Sequence, residues 1–272
     1  MPSVAVKRFP ALDIPESDEL ILAVLDDFAP TAVEDRETGA RVYFATPERR
    51  EAARAELAAR NIESTAIDVP DDDWASRSQQ HLAPVMVGRL LIVSAPQSLI
   101  PDPESLVKIA IRPSMGFGTG HHASTRLCLA ALQQLDLTGA AVLDVGTGSG
   151  ILAIAAWRLG ARSAIGVDSD ADAVQSAEEN VALNQAGDAV VTRLADFASD
   201  LLPTADVVLA NLTGATIVKF GGRLVDATRE GGTLIVSGVL AQEEAEVRRS
   251  LSAEITERLA EDEWVCLRVT KR

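Results

Sequence analysis

The chain has 272 residues, enough for one large or two ordinary domains, and 47% of them are hydrophobic, so disorder is not the default. A formal net charge of −15 argues against a broad phosphate-binding surface and would attract a basic partner, although acidity that serves only solubility reads the same way. Cys128 and Cys266 stand far apart in sequence with no clustered His beside them, which indicates neither a disulfide framework nor a zinc site.

Met1 to Pro10 lacks a signal-peptide core, and no stretch approaches about 18 uninterrupted apolar residues, so a soluble, cytoplasmic protein without a membrane partner is expected. Ser3 to Phe9 reads as a strand. From Ser17 to Phe28 the apolar residues Leu20, Ile21, Val24, Leu25 and Phe28 recur at helical spacing. Ala32 to Asp35 and Arg41 to Ala45 are short strand candidates. Thr46-Pro47 then supplies an N-cap and a proline at the first helical position, leading Glu48 to Arg60 into a helix. With Glu63 to Val69 as a last strand, the order is β-α-β-β-α-β, ferredoxin-like in outline. Asp71-Asp72-Asp73-Trp74 closes that unit, and Val85 to Val93, with Gly88 inside it, reads as one more strand or hairpin arm. Ala95-Pro96, Pro101 and Pro103 then mark a linker, because proline repeatedly denies a continuous helix. The expected division is a small α+β domain over 1–94, a linker over 95–106 and a larger domain over 107–272.

In the larger domain, Val107 to Ile111 looks like a strand and Ser124 to Leu135 a helix. From Ala140 onward strands and helices alternate: Val142-Leu143, Ile151 to Leu159, Ala164 to Val167, Ala171 to Leu183, Val190 to Leu194, Val207 to Ala210, Thr216 to Thr228 and Thr233 to Val236. Such alternation implies βαβ units and a Rossmann-like, largely parallel sheet covered on both faces. The tail departs from it. Glu243 to Ser250 can form a helix, while Ile255 to Leu259 and Trp264 to Val269 follow as two strands, an antiparallel hairpin of the kind added to the edge of a mixed sheet.

The residues that carry chemistry begin at Asp144-Val145-Gly146-Thr147-Gly148-Ser149-Gly150, between the apolar runs Ala140 to Leu143 and Ile151 to Ile154. It reads as strand, glycine turn, helix, and Gly146 and Gly148 let a ligand approach bare backbone. The dinucleotide fingerprint would place its third glycine at position 151, where this chain has Ile; a tight turn without a ligand is the plain alternative. A ribose acceptor should stand at the end of the next strand. Asp168 ends Ala164 to Val167 and lies 18 residues beyond Gly150, while Asp170 is better placed to cap the following helix. Asp196, after the third strand, is a further carboxylate at this end of the sheet, or a solvated loop acid. Asn211, after Asp206 to Ala210, occupies the mouth of the fourth strand. Its neutral amide can accept from an amine, whereas an acid would hold a cationic ammonium in its unreactive form; a structural Asn turn competes. Met115 to Thr125 holds Gly116, Gly118 and Gly120, suited to a lid, with Thr125 at the helix start able to donate a hydroxyl. No P-loop Lys follows, and the adjacent His121-His122 has no third ligand close in sequence, so no metal is expected. Phe117, Phe197 and Trp264 could face a cation, or be core and lid packing.

The acid ahead of this G-x-G-x-G run resembles the first motif of class I S-adenosylmethionine (SAM) methyltransferases, which implies that Asp144 lies near the methionine end of that cofactor and that the region of Asp196 contacts adenine. The Gly-Phe-Gly-Thr-Gly-His-His loop ending in Thr125, the run from Asp144 to Ala156, Gly166-Val167-Asp168, Ala210-Asn211-Leu212 and Glu263-Trp264-Val265 together resemble the methyltransferases of ribosomal protein L11, the PrmA family. The likeness reaches the first domain through Asp73-Trp74 and Val87-Gly88-Arg89 and spans nearly the whole chain. It implies that Thr125, Gly146, Asp168 and Asn211 contact SAM, that the first domain recognises the protein substrate, and that lysine and N-terminal amines of that basic ribosomal protein receive the methyl groups. A monomer without direct nucleic acid binding is expected. Two departures bear on the acceptor: Arg112-Pro113-Ser114 stands where many relatives have an acid before Pro-Gly, and Asn211 is followed by Leu-Thr-Gly. They keep open another protein or a small molecule as acceptor, and a SAM-binding module without turnover is a further alternative.

Overall fold

Apolar alternation in the first 70 residues builds a four-stranded antiparallel sheet. The computed structural model describes residues 8–15, 21, 24–25, 28, 30–36, 39–70, 84–94, 106–112 and 120–272. The chain divides into two units, Met1–Gln80 and His81–Arg272. In the first, β1 (Arg8–Ile14), β2 (Pro30–Asp35), β3 (Ala40–Phe44) and β4 (Thr65–Pro70) lie in the order β2-β3-β1-β4, the ferredoxin-like arrangement. The strand expected over Ser3 to Phe9 is Arg8–Ile14, and the residues before Arg8 lie outside the described residues. Pro10 disguises it in the sequence. It is tolerated because pairing with β3 starts only at Ala11, so the missing N–H interrupts no bond on that side. α1 (Pro47–Ala59) begins as expected, with the Thr46 side chain accepting from the Arg49 backbone N–H and Pro47 in the first turn. Leu12, Ile14, Val42 and Phe44 on one face of the sheet bury against Ala53 and Leu57 of α1, joined by Leu25 from the expected first helix. The rest of that helix is only partly described, and the segments Asp71 to Trp74, Ala95 to Glu104 and Met115 to Thr119 lie outside the described residues.

In the second unit β5 (Val85–Val87) and β6 (Leu90–Ser94) form a hairpin, and β6 runs parallel to β7 (Val107–Ile111). That pairing places the hairpin with the second unit and sets the division earlier than the boundary at 94 expected from composition. α2 (Ala123–Leu132) follows. The main sheet comprises β8 (Ala141–Val145), β9 (Ser163–Asp168), β10 (Val190–Leu194), β11 (Ala205–Asn211), β12 (Thr228–Leu240), β13 (Glu254–Glu261) and β14 (Trp264–Thr270). Its order is β10-β9-β8-β11-β12-β14-β13, parallel except at β14, which runs antiparallel to β12 and β13. α3 (Ile151–Arg158), α4 (Ala171–Leu183), α5 (Gly214–Ala227) and α6 (Glu244–Leu251) connect the strands.

Strand residues alternate between two cores, as a sheet covered on both faces requires. Val142, Leu209, Ile235 and Cys266 face α2, α3 and the end of α4, whereas Leu143, Val208, Val236 and Leu267 face α5 and α6. Alternation also brings Cys128 of α2 beside Cys266 of β14, both buried and free, though they lie far apart in sequence. Among the described residues no helix is long and apolar enough to cross a membrane.

Leu209 sits at the centre of β11 with no exposed surface. Leu209→Ala should lower unfolding stability by about 2–5 kcal/mol in urea titration. A loss below about 1 kcal/mol would mean that the central strands are not the packed core described here.

Candidate active site at the strand ends

The chain leaves β8 for β9 and β10 on one side and returns to β11 on the other, so the strand order reverses between β8 and β11. In doubly wound sheets that switch point opens a crevice at the carboxyl ends of the strands. Register fixes what lines it. Val145 pairs with Val167 on one side and Ala210 on the other, so Asp168 and Asn211 each stand one residue beyond the level of Val145. Leu194 lies beside Asp168, which puts Asp196 at the same end.

The turn from β8 into α3 is built for close approach. Gly146, Gly148 and Gly150 have φ of 71°, 53° and 79°, the left-handed region that favours glycine. A Cβ on Gly146 would lie 2.5 Å from Leu212 Cδ2, so the β11 loop closes directly over it. The Gly146 and Thr147 backbone N–H groups donate to Val167 O, at 2.9 and 3.0 Å. Beneath the turn, Asp144 Oδ2 accepts from Thr147 Oγ1 at 2.7 Å and from the Ala153 N–H at 3.2 Å, tying the turn to the first turn of α3. Gly166 on β9 makes room for this brace, since a Cβ there would fall 2.6 Å from Thr147 Oγ1.

Asp168 is half-buried. Its Oδ2 accepts from the Gly148 N–H at 3.0 Å and its Oδ1 from Asp170 N–H at 3.1 Å, so each oxygen retains a lone pair for a ligand hydroxyl. Capping of α4 falls to Asp170, whose side chain accepts from Asp172 N–H. Asn211 Nδ2 donates to Thr125 Oγ1 at 3.1 Å, bringing together two residues 86 apart in sequence. That bond fixes which end of the amide is nitrogen and leaves Oδ1 as the acceptor. Asp196 stands apart from these. It is exposed, with Oδ1 accepting from Ala198 N–H and Oδ2 from Ser199 Oγ in a turn of its own. Arg223 fastens that loop by donating to Phe197 O at 2.7 Å.

The start of α2 is clamped to the last hairpin. His122 caps the helix through Nδ1, 2.7 Å from Ser124 Oγ, and its ring meets Trp264 edge-on at 4.6 Å. Arg126 binds Glu261 through Nε at 3.0 Å and donates to His121 O. Trp264 is therefore occupied by His122, and Phe197 by an edge contact with Phe220 at 5.5 Å, packed against the core. Both serve packing. Phe117 lies outside the described residues. Among the described residues no group of three or more His, Cys, Asp or Glu is placed to hold a metal.

A family model described as "Ribosomal protein L11 methyltransferase (PrmA)" matches residues 20–272. The chain belongs to that family. Proteins named ribosomal protein L11 methyltransferase from Geobacter metallireducens and Geobacter sulfurreducens are 42% and 45% identical, over 75% and 73% of this chain and 68% and 66% of their own lengths. The chain thus spans about two thirds of the curated relatives it matches. A crystal structure of ribosomal protein L11 methylase from Lactobacillus delbrueckii subsp. bulgaricus superimposes with a TM-score of 0.65 at 27% identity, covering 70% of this chain and 100% of that one. The methyltransferase reading of the sequence holds, and with it SAM as the methyl donor of the class.

The crevice fits such a group. Bare left-handed backbone lies between a carboxylate with spare lone pairs at Asp168 and the paired Thr125 and Asn211, and Asp144 Oδ1 is buried with no hydrogen-bond partner. Burial pushes the Asp144 carboxyl up to about 6; the Thr147 and Ala153 hydrogen bonds pull it down, and the Asp168 charge adds to the rise. The site is braced from below by Thr147, with Gly166 leaving room for it, roles that the sequence alone does not assign to either residue.

Because the folded carboxyl holds its proton above its ordinary 3.8, the native state binds more protons than the unfolded chain between about 4 and about 6, and this contribution to stability is lost as pH rises through that window. Asp144→Asn keeps an acceptor but does not titrate. Its stability relative to the parent should therefore rise between pH 4 and 7, by on the order of 2–3 kcal/mol, in urea titrations at fixed ionic strength. A flat difference would place Asp144 in contact with water.

Proposed function

We propose that this chain transfers methyl groups from SAM to lysine or N-terminal amines of ribosomal protein L11. The observation that carries the reading is the Asn211–Thr125 bond at the switch point, beside a left-handed glycine turn, in a chain of this family. Asp168 takes the ribose hydroxyls, Gly146 and Gly148 present backbone to the nucleoside, and Asp196 lies toward the adenine. Asp144 works from beneath: it holds the turn through Thr147 and Ala153 and lies toward the methionine end.

When bound, SAM supplies a methyl group activated by a sulfonium. A free lysine amine has a pKa of about 10.4, so the site must favour its neutral form. Asn211 suits that task. Its Oδ1 accepts an N–H of the incoming amine and turns the lone pair toward the donor, while the bond to Thr125 fixes the amide's orientation. A neutral amide adds no negative charge that would keep the amine protonated. The departure after Asn211 has a structural cause: Thr213 caps α5 by accepting from Thr216 N–H, and Gly214 is pressed against Glu243, whose Oε2 would lie 2.4 Å from a Cβ. It therefore does not argue for a different acceptor. The first unit, Met1–Gln80, is assigned to protein recognition, and the net charge of −15 favours a basic ribosomal protein over nucleic acid. A cytoplasmic monomer agrees with that role.

Mass spectrometry of ribosomal proteins incubated with the enzyme and isotopically labelled SAM should find label on L11; label confined to other proteins would overturn the acceptor. Asp168→Ala should weaken S-adenosylhomocysteine binding at least about tenfold by calorimetry, about 1.4 kcal/mol. Asn211→Ala should instead lower kcat by about 10²-fold with a smaller change in KM for SAM. Unchanged values in both variants, or binding of NADH in place of S-adenosylhomocysteine, would refute the site.

A further inference from the structure

Two fully enclosed amides on α4 take no part in the site described above. Asn180 and Asn184 are 0% and 4% exposed, one helical turn apart on the same face. Burying an amide is costly unless both ends are paired, and here both are. Asn184 Oδ1 accepts from Ala110 N–H at 3.0 Å, and its Nδ2 donates to Ala110 O at 2.6 Å and to Asn180 O at 2.8 Å. Asn180 Oδ1 accepts from Arg112 N–H at 2.7 Å, while its Nδ2 donates to Ser149 O at 2.9 Å. The helix thus acts as the missing neighbour of β7, whose other edge is paired with β6. The spacings match: four helical residues rise about 6 Å, and two strand residues about 6.6 Å.

The two amides differ in one respect. Asn184 reaches only β7 and its own helix, whereas Asn180 also grips the carbonyl between Gly148 and Gly150. We infer that Asn180 is a positioning residue for the SAM-binding turn, holding Ser149 O so that Gly148 and Gly150 keep their left-handed conformations and the Gly148 N–H stays on Asp168. α4 is already pressed against this turn, since a Cβ on Gly150 would meet Ala177 Cβ at 3.2 Å. Position 180 needs an acceptor at one end and a donor at the other, which Asn supplies and an ionised Asp does not. The charged groups nearby point elsewhere: Arg112 pairs with Glu179 at the surface, and Arg158 donates to Asn184 O. Asp144, beneath the turn, titrates near 6, so any pH effect is read as a ratio to the parent at the same pH.

The inference rests on the SAM reading, and calorimetry with S-adenosylhomocysteine on the full chain separates the two. A parent protein that does not bind it overturns the SAM reading itself. Given parent binding, Asn180→Ala should raise Kd at least tenfold, while Asn184→Ala, equally buried, should lower the melting temperature yet stay within about threefold in Kd. Asn180→Asp provides a second readout that needs no deletion. At pH 8 its carboxylate faces Ser149 O and binding should fall at least tenfold; at pH 5.5 the buried carboxyl, protonated, donates to that carbonyl again, and the ratio to the parent should return to within threefold. Equal Kd for the two Ala variants, or an Asn180→Asp ratio that does not change with pH, would overturn the inference.

Discussion

A single buried carboxylate holds the functional end of the main sheet together. Asp144 lies one residue before the end of its strand, in a core where charge is expensive, and it answers that cost by gathering Thr147 Oγ1 and the Ala153 N–H onto one oxygen. Those two bonds convert a run of permissive glycines into a defined turn, because Gly146, Gly148 and Gly150 would otherwise lose more backbone entropy than other residues on being ordered. What lies above depends on the brace. Leu212 closes over Gly146 only because that residue carries no Cβ, and Asp168 accepts from the Gly148 N–H at the end of β9. Gly166, paired with Asp144 on the neighbouring strand, gives the brace its space.

Much of this was legible in the sequence. Alternating strands and helices from Ala140 onward gave the parallel sheet, since period and length are local properties of the chain. Asp168 and Asn211 could be placed because the strand-end rule converts a position in sequence into a position in the crevice. Pro10 concealed the first strand, because a proline inside a strand looks like a breaker until the pairing of its N–H side is known. Asn180 and Asn184 were invisible for a related reason. On a helical wheel they are two polar residues, and only the open edge of a strand 68 and 74 residues earlier makes them interior groups. Asp196 reads in sequence like Asp168, yet it is exposed and its side chain bonds within its own turn, whereas Asp168 bonds the glycine turn. Equivalent positions at the ends of adjacent strands do not imply equivalent chemistry.

The proposed site thus combines groups of opposite electrical habit. Asp168 is half-buried with its charge shared among backbone amides, whereas Asp144 is enclosed and rises toward about 6. Asn211 is neutral at every pH. A site that receives a cationic cofactor and an amine needs restraint in its negative charge, and burial raises the Asp144 carboxyl above the ordinary carboxylate range.

One contact bears on how the chain comes to work at all. Arg126, one residue from Thr125, is fixed by Glu261, which is made 135 residues later, and the His122 cap leans on Trp264 from the same hairpin. Contacts of such sequence separation form late, since a long loop must close before they reward the chain. The helix that presents Thr125 is therefore held by residues of the last hairpin, so its placement depends on the closure of the whole sheet around it.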